Sequence, residues 1–170
     1  SVYVRANEYL PEDLLADEEK VSVISRQSKY TNWRKWHNFG DSILLDEEFA
    51  YFLGFYVAEG STNGEGGLMR LDTGEEVRHA LFRIENFLIT RFNLHPKVWI
   101  TNTNAGMYFS CRPLAHILDG MCGKGAKNKK VPKEIFSSRQ SVQDAFLDGL
   151  LDGDGKMLKP IERYGLRTMS

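Results

Sequence analysis

The longest apolar run in the chain, Phe49-Ala50-Tyr51-Phe52-Leu53-Gly54-Phe55-Tyr56-Val57-Ala58, is preceded by Asp46-Glu47-Glu48 and followed by Glu59-Gly60. This pattern predicts a helix: Asp46 can cap its N-terminus, Glu47 and Glu48 suit the positive end of the helix dipole, and a glycine after Glu59 suits its stop. A helix apolar on nearly every side must be buried on nearly every side. Glu59 is therefore expected to emerge only at the last turn.

Further along, after a turn rich in Gly and Asn, GGLMRLDT alternates as a strand and Glu75 to Phe92 reads as an amphipathic helix. PKVWITNT and AGMYFSCR predict a hairpin turning at Asn102 to Gly106. Pro113 to Met121 reads as a short helix, VPKEIF as a brief helical turn, and Val142 to Gly153 as a second long helix that Ser141 can cap. The N-terminal segment, to about Leu44, reads as short strands and turns, with Val2-Tyr3-Val4 and Val21-Ser22-Val23-Ile24 as candidate strands. TNWRKWHNFGD follows, in which Trp33 and Trp36 alternate with Arg34, Lys35 and His37. Such a stretch either grips nucleic acid through stacking and charge or serves as a linker whose tryptophans cover the edge of a core. Strands and helices in this order predict an α+β fold.

The two long apolar helices are related by a fixed offset. AYFLGFYVAEG, residues 50–60, set above AFLDGLLDGDG, residues 145–155, matches Ala50 with Ala145, Gly54 with Gly149, Glu59 with Asp154 and Gly60 with Gly155, each pair 95 residues apart. An internal repeat implies a duplicated unit. Small residues at a spacing of four, Gly54 and Ala58 in one copy and Gly149 and Gly153 in the other, form a smooth stripe along one helical face. Helices with such stripes can touch backbone to backbone, which would bring Glu59 and Asp154 side by side. Two carboxylates at the negative ends of two helix dipoles repel, and a divalent cation such as Mg²⁺, which takes hard oxygen ligands, would relieve that repulsion.

Composition changes this picture only in part. The formal net charge of -1 argues at first against a nucleic-acid binder. The charge is uneven, however: residues 1–48 hold 6 Lys or Arg against 10 Asp or Glu, whereas residues 49–170 hold 16 against 13. The densest basic cluster is GKGAKNKKVPK, with Lys124, Lys127, Lys129, Lys130 and Lys133, whose plain reading is a solvated loop. Cys111 and Cys122 lack a CxxC partner and a finger-spaced His, so two reduced thiols are expected rather than a zinc site. No run approaches the length of a membrane span, and an intracellular location, cytoplasmic or nuclear, is expected.

AYFLGFYVAEGS and DAFLDGLLDGDG resemble the two motifs of the LAGLIDADG, or dodecapeptide, homing endonucleases, and KNKKVPKEIF resembles the Lys-x-Ile-Pro block that intein-encoded members place before the second motif. The resemblance covers roughly residues 46–168. It implies a metal-dependent, site-specific DNA endonuclease in which the last acid of each motif, here Glu59 and Asp154, binds the catalytic Mg²⁺ ions. It assigns Lys129, three positions before Pro132, a catalytic role, and it implies paired β-saddles that straddle double-stranded DNA in the major groove. Outward positions of the first saddle are then expected to contact DNA: Arg70 and Asp72 on the first strand, Thr101 and Asn102 on the hairpin, and Ser110 and Arg112 on its return. Lys124, Lys127 and Lys130 are expected to add phosphate contacts.

Two positions depart from the family pattern. Val57 stands where many members carry an acid or small polar residue, and Asp148 where an apolar residue is usual. The resemblance divides the chain into an N-terminal β-rich or linker segment (1–44), a first subdomain (45–140) and the start of a second (141–170). Between Gly60 and Ala145 lie 84 residues, but 15 follow Gly155. The expectation is that the second saddle is incomplete and that a further segment or another chain completes it. Two other readings stay open at this stage: a module that binds DNA or RNA without cutting, as a maturase or regulator, and a fragment of a splicing intein.

Overall fold

The computed structural model of the chain describes residues 1–14, 40–72 and 75–154. The candidate strand Val21–Ile24, the Trp33 and Trp36 stretch and the tail after Asp154 lie outside the described residues.

The fold is α+β, as its periodicities predict. Strand β1 (Tyr3–Arg5) runs into a short helix α1 (Ala6–Tyr9) and a 3-10 turn (Glu12–Leu14). Strand β2 (Ser42–Leu44) then leads to the central helix α2 (Glu47–Glu59), which is followed by strands β3 (Gly60–Thr62) and β4 (Gly66–Asp72) and by helix α3 (Glu75–Phe92). Strands β5 (Lys97–Ile100) and β6 (Asn104–Ser110) form a hairpin before helix α4 (Arg112–Cys122). A 3-10 turn (Ala126–Asn128), the short helix α5 (Lys133–Phe136) and the second long helix α6 (Gln140–Asp154) complete the described order.

Asp46 caps α2 as expected, its Oδ1 accepting from the Phe49 N–H at 3.0 Å, while its other oxygen holds Arg91 of α3. Every residue of α2 from Phe49 to Val57 is buried. One side packs on a four-stranded antiparallel sheet of order β3-β4-β6-β5. There Phe52 meets Phe109 edge-on at 6.3 Å between centroids, and Phe87 of α3 lies 5.6 Å from both Phe49 and Phe52. Met69, Ala105, Met107 and Phe109 turn inward from the sheet, following the period of two along β4 and β6.

The other side of α2 packs on α6. The expectation that the two repeat helices meet is met at the backbone itself: a Cβ added at Gly54 would lie 2.0 Å from the Phe146 carbonyl oxygen, and one at Gly149 would lie 2.0 Å from that of Tyr51. The 95-residue offset maps each contact onto the other, Gly54 to Gly149 and Tyr51 to Phe146. The interface therefore has the reciprocity of a two-fold pair within one chain.

Several boundaries differ from the sequence reading. Gly60 ends α2 with φ -91°, not in the left-handed conformation of a usual glycine stop, because the chain passes directly into β3. Glycine is required there because a Cβ would lie 2.0 Å from the Tyr56 ring. The strand β3 has no apolar alternation and was not anticipated. The hairpin turns at 101–103 rather than 102–106, since Thr101 closes it by donating its N–H to the Asn104 carbonyl at 2.8 Å while its hydroxyl accepts the Asn104 N–H at 3.1 Å. Ser141 lies inside the first turn of α6 rather than at its cap, and its hydroxyl donates to Glu47 at 2.9 Å.

The N-terminal residues share the core of the rest. β1 pairs with β2, and Val4, Ala6, Leu10 and Leu14 join the same buried cluster as α2. Polar links fasten this segment to α4 and α5: Tyr9 donates its hydroxyl to Glu134 at 2.6 Å, Arg112 pairs with Asp13 at 2.9 Å, and Lys133 pairs with Glu8. Cys111 and Cys122 are free and buried, and burial pushes both thiols up to about 12. No helix among the described residues is long and apolar enough to cross a membrane.

Candidate functional site

The parallel packing of α2 on α6 brings the acid-bearing ends of both helices to one end of the pair. A Cβ at Gly153 would lie 2.7 Å from the Ala58 side chain and 3.5 Å from the Glu59 Cγ. The Glu59 side chain thus rests against the residue that precedes Asp154, and both acids are half-buried. Helix C-termini concentrate carbonyl oxygens with unfilled acceptor capacity, so this end of the pair is rich in oxygen acceptors.

Lys129 reaches the same place from the lysine loop. Its ammonium donates to the carbonyls of Tyr56 at 2.8 Å and Gly60 at 2.6 Å, closing the last turn of α2, and lies 4.0 Å above the Tyr56 ring. Burial depresses its proton affinity below the usual lysine range, while the thiol of Cys122 and the carboxylates of Asp119 and Glu59 pull the other way. Of the lysines in the loop, Lys129 alone turns inward. Lys124, Lys127 and Lys130 are exposed, and Gly123 and Gly125, with φ of +82° and +81°, supply the left-handed backbone that the turn requires.

Glu59 and Asp154 carry hard oxygen donors at the same end of the helix pair. Among the described residues no three His, Cys, Asp or Glu side chains group into a set able to hold a metal ion. A cation of the Mg²⁺ type is commonly held by one or two carboxylates, completed by water and substrate phosphates. The donor set fits that mode and not an all-protein cage.

The sheet places the expected DNA contacts unevenly. Arg70 is exposed on the outer face of β4, opposite Gly106, and Asp72 ends that strand opposite Asn104. Thr101 and Asn102 lie exposed in the hairpin turn, and Ser110 is exposed at the end of β6. Arg112 differs: it begins α4 instead of continuing the strand, and its guanidinium is engaged by Asp13. The outer face also carries residues that the sequence reading left out. Lys97 and Trp99 on β5 stand in register with Tyr108 and Gly106, and a Cβ at Gly106 would lie 2.4 Å from the Trp99 ring. The alternation of Lys97-Val98-Trp99-Ile100 carried that signal.

Asp148 stands where the family pattern usually has an apolar residue. It lies exposed instead, on a face of α6 with Asp144 and Asp152 one turn to either side. Partial desolvation and the Asp152 charge raise its proton affinity, and Arg83 of α3 opposes them. Arg83 also lies 3.7 Å from the centroid of the Tyr51 ring, and the Tyr51 hydroxyl donates to Asp152 at 2.6 Å.

No protein-family model matches the chain. It is 34% identical over 137 residues to a DNA polymerase of Thermococcus hydrothermalis, a match that covers 75% of this chain and 8% of the polymerase. It is 25% identical over 167 residues to an uncharacterised protein of Methanocaldococcus jannaschii, covering 92% of this chain and 18% of that protein. It is also 30% identical over 130 residues to a replication factor C small subunit of the same organism, covering 65% of this chain and 7% of that subunit. The chain thus spans less than a fifth of the length of each of these relatives.

Proposed function

We propose that this chain is the DNA-cutting part of an intein-encoded homing endonuclease of the LAGLIDADG type. The observation that carries the reading is the reciprocal backbone contact of Gly54 and Gly149, which places Glu59 and Asp154 at one end of a two-helix pair. The comparisons support it indirectly. Most of the chain matches a small part of a DNA polymerase and a small part of a replication factor C subunit. A segment shared by otherwise different hosts behaves as an inserted element.

In this reading Glu59 and Asp154 would hold Mg²⁺, which when bound supplies Lewis acidity toward a scissile phosphate and its water nucleophile. The chain's own residues orient that chemistry. Lys129 holds the last turn of α2 rigid and keeps a positive charge near Glu59, where negative charge builds during phosphoryl displacement. The outer face of the sheet, with Arg70, Lys97, Trp99 and Ser110, reads double-stranded DNA, and the exposed loop lysines draw the phosphate backbone. The two buried free thiols suit a reducing intracellular compartment.

The test is nicking of duplex DNA that carries the insertion site, with Mg²⁺, by this domain in its complete host-encoded form. Cleavage that needs the metal and disappears in Glu59→Gln and Asp154→Asn, with binding retained, is the expected result. Tight, specific binding without any cleavage would favour a non-cutting regulator.

A further inference from the structure

The 95-residue offset makes the glycine contacts of α2 with α6 reciprocal, and a polar pair in the last turn of α6 breaks that symmetry. Tyr51 on α2 donates to Asp152 on α6 at 2.6 Å. The offset maps Tyr51 onto Phe146 and Asp152 onto Val57, both apolar and both buried. The clasp therefore exists on one side of the pair only.

It is also well supported. Tyr51 is 1% exposed, so its hydroxyl has little water to turn to, and burial together with the Asp152 carboxylate keeps the phenol protonated as a donor. Arg83 stacks over the ring at 3.7 Å and is itself fixed by Glu48, to which its Nη2 donates at 2.7 Å and its Nε at 3.1 Å. Glu48, Arg83, Tyr51 and Asp152 thus form a line from the start of α2, through α3, to the last turn of α6. Asp152 lies two residues before Asp154.

We propose that Tyr51 is a positioning residue for Asp154: by holding Asp152 it keeps the last turn of α6 from fraying and sets the Asp154 carboxylate against Glu59. The corresponding end of α2 is fixed differently, by the Lys129 ammonium on the Tyr56 and Gly60 carbonyls. The two acids are thus held by unlike devices, a cation cap on one helix and a cross-helix phenol on the other. The inference rests on the nuclease reading for its purpose, and on the Tyr51–Asp152 geometry for its substance. Helix ends fray first when nothing beyond the local ladder holds them, so the clasp acts where the site needs order.

Amide hydrogen exchange on the full chain is the direct test. Tyr51→Phe is expected to accelerate exchange at Gly153 and Asp154 about tenfold or more while Leu150, in the middle of α6, stays protected. Asp152→Asn keeps an acceptor oxygen and should preserve that protection, whereas Asp152→Ala should lose it. Uniform acceleration along α6, or none, overturns the proposal. Terbium(III) luminescence supplies a readout that general loosening does not move: affinity that depends on Glu59 and Asp154 should fall severalfold in Tyr51→Phe and Asp152→Ala but not in Asp152→Asn. Unchanged affinity in Tyr51→Phe, with acid-dependent binding in the parent, overturns the positioning role alone. Binding in the parent that ignores Glu59→Gln and Asp154→Asn overturns the metal reading and the purpose of the clasp together.

Discussion

Gly54 and Gly149, 95 residues apart in the chain, each press against the backbone of the other's helix: a Cβ on either would lie 2.0 Å from a carbonyl oxygen and 2.9 Å from an amide nitrogen across the interface. The atoms in the way are backbone and cannot rotate aside. Gly54→Ala or Gly149→Ala must push α2 and α6 apart, and a loss of about 3 kcal/mol or more is expected, at the upper end of the range for overpacked cores. Gly64→Ala is the control. It has φ of +87° but nothing within 4 Å, so it should cost only about 1 kcal/mol of backbone strain. Urea denaturation of the three variants decides the matter, and equal midpoints would show that the helix contact is looser than its geometry.

Lys129 and Lys133 separate structure from phosphate attraction. Lys129 donates two charge-assisted hydrogen bonds at the end of α2, whereas Lys133 is exposed and pairs with Glu8. Lys129→Ala should cost about 1.5–3 kcal/mol of stability and reduce cleavage by a factor of about 10² or more, if it stabilises charge as proposed. Lys133→Ala should leave cleavage within a few-fold of the parent. Equal losses of activity at the two positions would reduce both to general attraction for DNA.

The two buried thiols make stability sensitive to alkali. In the unfolded chain a thiol ionises around its ordinary value of 9.0, whereas burial holds Cys111 and Cys122 up to about 12 in the fold. Above pH 9 the unfolded state therefore releases protons that the folded state keeps, and stability falls as pH rises. Each thiol adds a slope of about 1.4 kcal/mol per pH unit between those values. Lys129, whose affinity for protons is lowered in the fold, acts in the opposite sense, adding stability as pH approaches the usual lysine value. Denaturation midpoints from pH 8 to 11 should decline steeply for the parent and less steeply for Cys122→Ala. An identical slope in that variant would mean that the thiol does not contribute.

Much of this architecture is legible in the sequence because it is written in short periods. The apolar run of α2, the amphipathic period of α3 and the alternation of β4 each lie within one element, and the structure places those elements where the pattern does. The helix pair was also legible, since the repeat of small residues and terminal acids states it twice. What was hidden depends on partners distant in the chain. Tyr51 gives no sign of its acceptor 101 residues away, and Lys129 none of the carbonyls 69 and 73 residues before it. Arg112 follows a strand and reads as part of it, but Asp13, 99 residues earlier, claims its guanidinium at the start of α4. β3 escaped because Gly60-Ser61-Thr62 has no apolar member to alternate.

The outer face of the sheet offers the sharpest test of DNA recognition. Arg70 is exposed there beside Gly106, over which the Trp99 ring lies, and Lys97 stands in register with Tyr108. A guanidinium on a sheet face can reach a guanine edge in the major groove with two donors, whereas an ammonium acts as a point charge toward phosphate. The two residues should therefore fail differently. Arg70→Ala is expected to weaken binding to the preferred site by about 1–3 kcal/mol and to relax preference at one base position. Lys97→Ala should weaken binding to all duplexes alike and lower the slope of log affinity against log salt by about 0.9, the release of one counterion. Arg112→Ala, already paired with Asp13, should change neither. Fluorescence anisotropy across a salt series, with the preferred site and single-base variants of it, distinguishes these outcomes. If Arg70→Ala shifts the salt slope without touching base preference, Arg70 holds the backbone and the reading of sequence lies elsewhere on the sheet.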